Sequence, residues 1–447
     1  MGTETLGLTE AVSIALGGMI GGGIYAVLGV VTQISGAATW SAFLLAGVVA
    51  ACAGYSYVQL NALIAANDGN TGGGSVTFIR SFTGNTTIAG MVGWTLLLGY
   101  IGSMAMYAFA FAEFAISFPM VPESIGAAPL RPIVSVGAIA AFVGLNLLGA
   151  RATGTVETVL VAGKVLVLVT FGLGGVGYAI ATSPPAVDLG ASTLTSFSPV
   201  MAAAVSFVAF QGWQLLFYDQ ESIENPLDRI PKAIAIAIAT AVVVYVLVVV
   251  ATSDLAPQAL RTRPHTALVD AASTIAGTVG YAGAGATVIS LSALLSTGSA
   301  INATLFSTGY FAKGMLSSDL LPDRVGDASA DGVPPRTVLL IGGVTAAFTA
   351  VGSLSAITSF ASLSFIVVFG AMSLLAFTQR DRERIRAVWP AVGAVGATLF
   401  FVLLFYHLYT AERETFYAVL GIAVATFLVE TLYFERDVIR AEIPDLR

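Results

Sequence analysis

Three stretches of this 447-residue chain place polar chemistry among apolar residues. The first is Gly17-Gly18-Met19-Ile20-Gly21-Gly22-Gly23, five glycines in seven residues inside an apolar run. Each costs up to about 1 kcal/mol of helix propensity, so a helix here is expected to lose its winding. The second is Phe210-Gln211-Gly212-Trp213, where a polar amide and a flexible glycine interrupt another apolar run. The third is Lys164, a cation among valines and leucines, about 10 Å into its helix at 1.5 Å per residue from Glu157. A helix broken at mid-membrane offers free N–H groups and a positive dipole end to an anion, and freed carbonyls to a cation. One such break can hold a carboxylate, and two together an ammonium. Those are the two ends of a zwitterionic amino acid. Close helix packing is the competing use of the glycines, because Gly18 and Gly22 also fit the GxxxG pattern.

The elements that carry these residues follow from composition. Hydrophobic residues make up 56% of the chain and charged ones 10%, against about 25% charged in a soluble domain. That excludes a water-soluble globule and a disordered chain. The formal charge of −7 argues against nucleic-acid binding. Cys52 stands alone, so no internal disulfide forms. The apolar runs are continuous rather than alternating, which means helices and not a barrel. The sequence predicts an all-α integral membrane protein with about twelve spans. They fall near 8–30, 37–65, 86–118, 132–149, 156–181, 199–219, 232–252, 276–311, 336–352, 355–377, 388–408 and 414–434, joined by short loops. The first span has no basic region before it and reads as a retained helix. With the N-terminus inside, fourteen Lys and Arg fall in cytoplasmic loops and the tail, and four (Arg131, Arg261, Arg263, Arg413) fall outside. Both termini are therefore expected in the cytoplasm and the protein in the cell membrane.

The first and sixth spans share the same oddity, a flexible interruption at mid-depth, and start about 190 residues apart. A shift of five spans inverts the second copy relative to the first, the arithmetic of an inverted-topology repeat. The expected division is 1–182 for spans one to five, 183–378 for spans six to ten, and 379–447 for spans eleven and twelve with a tail.

Gly17 to Tyr25 resembles the Gly-x-Ile-Gly-x-Gly-Ile-Phe signature of the amino acid–polyamine–organocation (APC) superfamily, with Tyr25 in place of Phe. Phe207 to Gly212 resembles that superfamily's sixth helix. Glu221 through Asn225-Pro226 and Ile230-Pro231 to Ala233-Ile234 is similar to its Glu-x-x-x-Asn-Pro-x-x-x-Ile-Pro-x-Ala-Ile loop. Asn302-Ala303 and the stretch to Leu321-Pro322 resemble its eighth-helix tail. Val208 stands where a gating aromatic often sits, with Phe207 one residue earlier. The resemblance implies the LeuT-type fold, two inverted five-helix repeats plus two C-terminal helices, and secondary transport of amino acids. Proton-coupled members carry a lysine in the fifth helix, which gives Lys164 the coupling role.

The expected substrate site comprises Met19, Ile20, Gly21, Gly22, Gly23, Phe207, Phe210 and Gln211. The carboxylate would meet N–H groups of Gly21–Gly23, and the ammonium would meet carbonyls near Met19, Ile20, Phe207 and Phe210. Gly18, Ser296, Thr297 and Ser299 would support the coupling site; such hydroxyls bind sodium in a sodium-coupled relative, or hydrogen-bond a lysine. For Lys164 the competing role is a side chain that only reaches the interface. Glu113 is an outer gate or a solvated interfacial group. Asp219 and Glu221, with Arg151 or Arg229, form an inner gate or a plain helix end. Trp94, Tyr100, Tyr107, Trp389 and Tyr406 read as interface anchors or packing. No metal, cofactor, nucleophile-elbow or phosphate-loop pattern is legible. The reading is proton-coupled uptake of a small neutral or apolar amino acid by alternating access. Sodium symport and amino acid exchange are the nearest rivals, and a channel or a non-transporting receptor is the rival of another class.

Overall fold

The computed structural model describes residues 5–68, 73–148, 154–182, 188–218, 220–330 and 332–429. Arg151, Asp219 and the tail beyond residue 429 lie outside them. Among the described residues the architecture is helical apart from a hairpin of two-residue strands, Ser124–Ile125 with Ala128–Pro129. The long helices are α1 (Leu8–Ser35), α2 (Thr39–Asp68), α4 (Thr86–Ile116), α5 (Leu130–Leu147) and α6 (Gly154–Thr182). After a broken segment come α8 (Pro226–Leu255), α11 (Ala282–Leu316), α12 (Pro335–Val351), α13 (Leu354–Thr378), α14 (Val388–Ala411) and α15 (Arg413–Val429). Among the described residues nine helical segments are long and apolar enough to cross a membrane, the first of them holding both α1 and α2. The chain is a multi-pass membrane protein.

Apolar surface is turned outward as lipid requires. On α6, Val159, Leu166, Leu173 and Ile180 are all exposed, seven residues apart and so on one stripe. Val161, Lys164, Leu168 and Phe171 form the opposite, buried stripe. α1 is different: residues 15–32 are buried without interruption. It is apolar all round and sits at the centre, packed by α6, α8, α11 and the broken segment.

The structure corrects three expectations. First, α1 does not unwind at its glycines but runs as one α-helix from Leu8 to Ser35. The missing side chains admit neighbours instead. A Cβ on Gly21 would lie 2.5 Å from Ala300 Cβ, one on Gly23 2.6 Å from the Tyr245 hydroxyl, and one on Gly22 would enter the Tyr107 ring. Tight packing on all sides recovers the propensity that five glycines give up. Second, the eighth span starts at Ala282, not near 276, because Gly280 takes φ +83° and breaks the chain there. Third, the connections are less bare than predicted. Residues 257–277 fold into α9 (Pro257–Thr262), a 3-10 turn (Pro264–Thr266) and α10 (Ala267–Gly277), and α3 (Ser75–Thr83) lies between α2 and α4.

The sixth span does break. α7 (Ser198–Ser206) tightens into a 3-10 turn at Phe207–Phe210; Gln211 is extended (φ −79°, ψ 151°), and Gly212 at φ +133° takes a conformation open to glycine. A second 3-10 run, Trp213–Phe217, completes the segment.

Candidate functional site

The carbonyls of three consecutive α1 residues each accept a hydrogen bond from a side chain on a different helix. Lys164 on α6 donates to Gly17 O at 3.5 Å, Tyr107 on α4 to Gly18 O at 3.3 Å, and Tyr245 on α8 to Met19 O at 2.7 Å. The donors converge because the glycine face of α1 lets three helices approach its backbone. Such polar groups persist in an apolar interior only where they are paired.

Lys164 is 5% exposed, and its ammonium points into the protein. Besides Gly17 it donates to Ser299 Oγ at 3.3 Å, and Ser299 in turn donates to Ser296 O at 3.3 Å. Ser296 and Thr297 are buried on the same helix, and the Thr297 hydroxyl bonds back to Ala293 O at 2.7 Å. Ser292 meets the Tyr25 hydroxyl at 2.7 Å.

Tyr245 joins the two odd spans. Its hydroxyl lies 2.9 Å from Ala209 O as well as 2.7 Å from Met19 O. A hydroxyl has one proton, so it serves one of those carbonyls fully at a time. Gln211 is fully buried; its amide donates to the Tyr107 hydroxyl and its carbonyl accepts from Gln214 at 3.2 Å. Gln214 also accepts from Gly212 N at 2.7 Å and reaches the Tyr100 hydroxyl at 3.3 Å, and Tyr100 meets Tyr218 at 2.8 Å. A polar chain thus runs from Gly18 through Tyr107, Gln211, Gln214 and Tyr100 to Tyr218. Tyr218 lines a cavity of about 160 Å³ with Gly74, Thr77, Phe217, Tyr310 and Phe311. The break itself is held from α13, where Ser362 donates to Val205 O at 2.6 Å and accepts from Val208 N at 3.0 Å.

Of the residues singled out in the sequence, the structure brings Gly18, Met19, Gly21, Gly22, Gly23, Gln211, Lys164, Ser296 and Ser299 around the centre of α1. Ile20 is buried there too. The ring of Phe207 turns away from this centre, whereas that of Phe210 borders it through Tyr245. Phe207 packs edge-on to Phe369 and Phe400 at 5.8 Å, and Phe210 packs against Tyr245 at 5.4 Å. The centre is closed, with Met19, Ile20, Phe207, Phe210 and Gln211 at 0% exposure. Tyr107 and Tyr100 are buried and hydrogen-bonded inside, whereas Trp389 and Tyr406 are exposed as interface residues are. Arg229 pairs with Glu224 at 2.5 Å and reaches Leu6 O at 3.5 Å. Around it, Leu6, just before α1, bridges to the loop after the broken segment, Leu6 N to Ser222 O at 2.8 Å and Glu224 N to Leu6 O at 3.0 Å. Sequence reasoning passed over Tyr245, Gln214, Ser362 and Glu157. A lone hydroxyl or amide inside an apolar run was the available signal. Among the described residues no three His, Cys, Asp or Glu come together as a metal group would require.

The chain is similar to an uncharacterized protein of Methanocaldococcus jannaschii, 28% identical over 96% of this chain and 95% of that one. It is 31% identical to the inner membrane transport protein YbaT of Escherichia coli over 72% of this chain and 71% of that one. A solved manganese transporter of Eremococcus coleocola superposes with a TM-score of 0.60 at 14% identity, covering 95% of this chain and 92% of that one. That likeness is one of fold, the LeuT-type arrangement of helices. The family described as "Amino acid permease" matches residues 6–428, and the chain, a membrane transporter of the APC superfamily, belongs to that family.

Proposed function

We propose that the protein imports a small neutral or apolar amino acid together with protons by alternating access. The single observation that carries this reading is Lys164, a buried ammonium on the Gly17 carbonyl and on Ser299 of α11. A buried lysine that is both hydrogen-bonded and close to a helix carbonyl occupies the place of a bound cation and can yield it by losing a proton. The substrate would lie along α1 at Met19, Ile20 and Gly21–Gly23, against the break at Phe207–Gln211, with Gly18, Ser296, Thr297 and Ser299 beside the coupling site. Because α1 is unbroken, the carboxylate would be met by hydroxyls and at the sixth-span break, where it would take the Gly212 N–H from the Gln214 side chain that now accepts it. The ammonium would displace Tyr245 from one of the two carbonyls that share it. In the assignment we favour, residues 1–182 and 183–378 are inverted repeats, 379–447 an appendix, and both termini are cytoplasmic in the cell membrane. α1, α2, the broken segment and α8 then rock as a bundle against α4, α5, α11 and α12.

Tyr245 supports the bundle as one body, since it ties α1, α8 and the break together. Tyr107, Lys164 and Ser292 reach that body from helices outside it, so they are contacts that rocking would remake. The test is uptake by proteoliposomes of labelled L-alanine, L-serine, L-leucine, L-phenylalanine and L-lysine under an imposed proton or sodium gradient. The reading expects one neutral member to be concentrated by a proton gradient in wild type and not in Lys164→Ala. Uptake driven by sodium alone, or exchange without net accumulation, would replace it by a rival of the same fold.

A further inference from the structure

The site has a second ionisable group that the sequence reading did not use. Glu157 stands in the first turn of α6, seven residues before Lys164, so two helical turns place both on the same face. That face packs against α1. The Glu157 carboxylate lies over the Cα of Gly17, where any side chain would collide with Oε1. The Lys164 ammonium sits on the carbonyl of the same glycine. One residue thus lies between a carboxylate and an ammonium, and its missing side chain leaves the carboxylate its place without a shift. Glu157 is half-buried, so water reaches it while Lys164 is 5% exposed. α1, α8, α10 and α11 pack against α6 and carry Glu10 on α1, Asp228, Arg229, Lys232 and Asp254 on α8, Asp270 on α10 and Lys313 on α11; Lys164 is the charge that shares the face of α6 with Glu157.

The geometry points to Glu157 as the proton port of Lys164, a carboxylate that passes protons between the cytoplasm and the buried amine past Gly17. The inference rests on the proton-coupled reading and on the orientation given above. Lys164 Nζ bonds Gly17 O and Ser299 Oγ rather than the carboxylate, so water bridges the two groups, and in the release step Lys164-NH3+ and Glu157-COO− become Lys164-NH2 and Glu157-COOH through that water. Glu157-COOH then gives its proton to the cytoplasm and returns to the carboxylate. Charge on the pair is zero before and after the internal transfer, and once the proton has left, the remaining charge is on the half-buried carboxylate rather than deep among the helices. Without the carboxylate, the proton must leave Lys164 directly through the packed helices.

Three proteins test this in proteoliposomes, using the labelled amino acid from the panel that wild type concentrates fastest: Glu157→Gln, Glu157→Asp and Lys164→Ala. Glutamine keeps the shape against Gly17 and removes the titration. Net proton-driven uptake by Glu157→Gln should fall by about tenfold or more with a flattened dependence on internal pH, while counterflow, which moves no net proton, falls less than about threefold. Glu157→Asp should restore part of the net uptake with a displaced pH profile. Wild-type net uptake and pH profile in Glu157→Gln, with Lys164→Ala uncoupled, would overturn the port and leave the lysine reading standing. Proton-driven uptake that survives in Lys164→Ala would instead sink the reading on which the port rests. If Glu157→Gln does not fold, the aspartate variant decides alone: an undisplaced pH profile there overturns the port.

Discussion

Gly18 of α1 and Gly212 of the broken segment meet backbone to backbone. A Cβ on Gly18 would lie 2.6 Å from Gly212 Cα, and a Cβ on Gly212 would lie 2.8 Å from Gly18 Cα. Neither atom has room, and on both sides the obstacle is backbone. Gly212 also holds φ +133°, which a side chain resists. Gly212→Ala should therefore cost several kcal/mol, on the order of the overpacking penalty of about 1–3 kcal/mol plus about 1–3 kcal/mol of backbone strain. Gly18→Ala bears only the first of these. Thermal unfolding in detergent should rank wild type above Gly18→Ala above Gly212→Ala. The reverse order would mean that the two backbones are not in contact in the folded protein.

That contact also shows how far the sequence could be read. The apolar runs fall on the helices because lipid demands continuous apolar faces and internally satisfied backbone, and each of those demands is written locally. The interruption at Gln211-Gly212 was legible for the same reason. The state of the first glycine run was not. Gly17–Gly23 permits either unwinding or close approach, and Tyr107, Ala300 and Tyr245 decide for approach from more than eighty residues away. The donors to Gly17, Gly18 and Met19 were out of reach likewise, since nothing near Tyr245 in its valine-rich run names a partner 226 positions back. Lys164 stood out because a cation in an apolar helix is anomalous wherever it points. Glu157, near a helix end, did not.

Tyr245→Phe tests the hydroxyl that joins α1 to the break. The ring keeps its packing on Phe43 at 5.2 Å and Phe210 at 5.4 Å, so the change isolates the hydrogen bond. One donor proton is lost, and the expected cost is about 1–3 kcal/mol because a carbonyl stays buried without it. Transport should slow more than stability alone explains, since the bundle loses its tie. Thermal unfolding and initial uptake rates measured together check this, and a variant with unchanged uptake would show that the tie is not part of the moving body.

Ser362→Ala tests how the break is held. The hydroxyl donates to Val205 O and accepts from Val208 N, so one methyl-sized change leaves an amide and a carbonyl buried together. The expected loss is about 1–3 kcal/mol for each group left unpaired, unless water enters. Ser362→Thr keeps the hydroxyl and should recover most of the stability. Equal melting of the alanine variant and wild type would assign the break to Gly212 alone.

His265 gives the protein a pH-dependent element at the far end of α1. It lies in the Pro264–Thr266 turn, whose Pro264 carbonyl closes on Gly29, and its ring packs edge-on to Phe109 at 5.8 Å. The other face of this cluster carries Arg131, 4.0 Å over the Phe109 ring and bonded to Thr349 O at 2.7 Å; Glu113 lies close enough to act on Arg131, and Arg263 is paired with Asp270 nearby. Burial pushes the His265 imidazole below the ordinary histidine range, and the Arg131 charge pushes it the same way. The folded protein therefore binds fewer protons at this residue than the unfolded chain does, between the lowered value and about 6.5. Stability rises with pH wherever the unfolded state holds more protons, so His265 contributes fully above about pH 6.5 and progressively less as the medium is acidified through that window. Thermal unfolding in detergent should show wild type losing more stability than His265→Phe between about pH 7.5 and about pH 5.5, because phenylalanine keeps an aromatic ring against Phe109 without a titrating nitrogen. Parallel losses in the two proteins would place the acid sensitivity in other groups and leave the turn as a passive cover on α1.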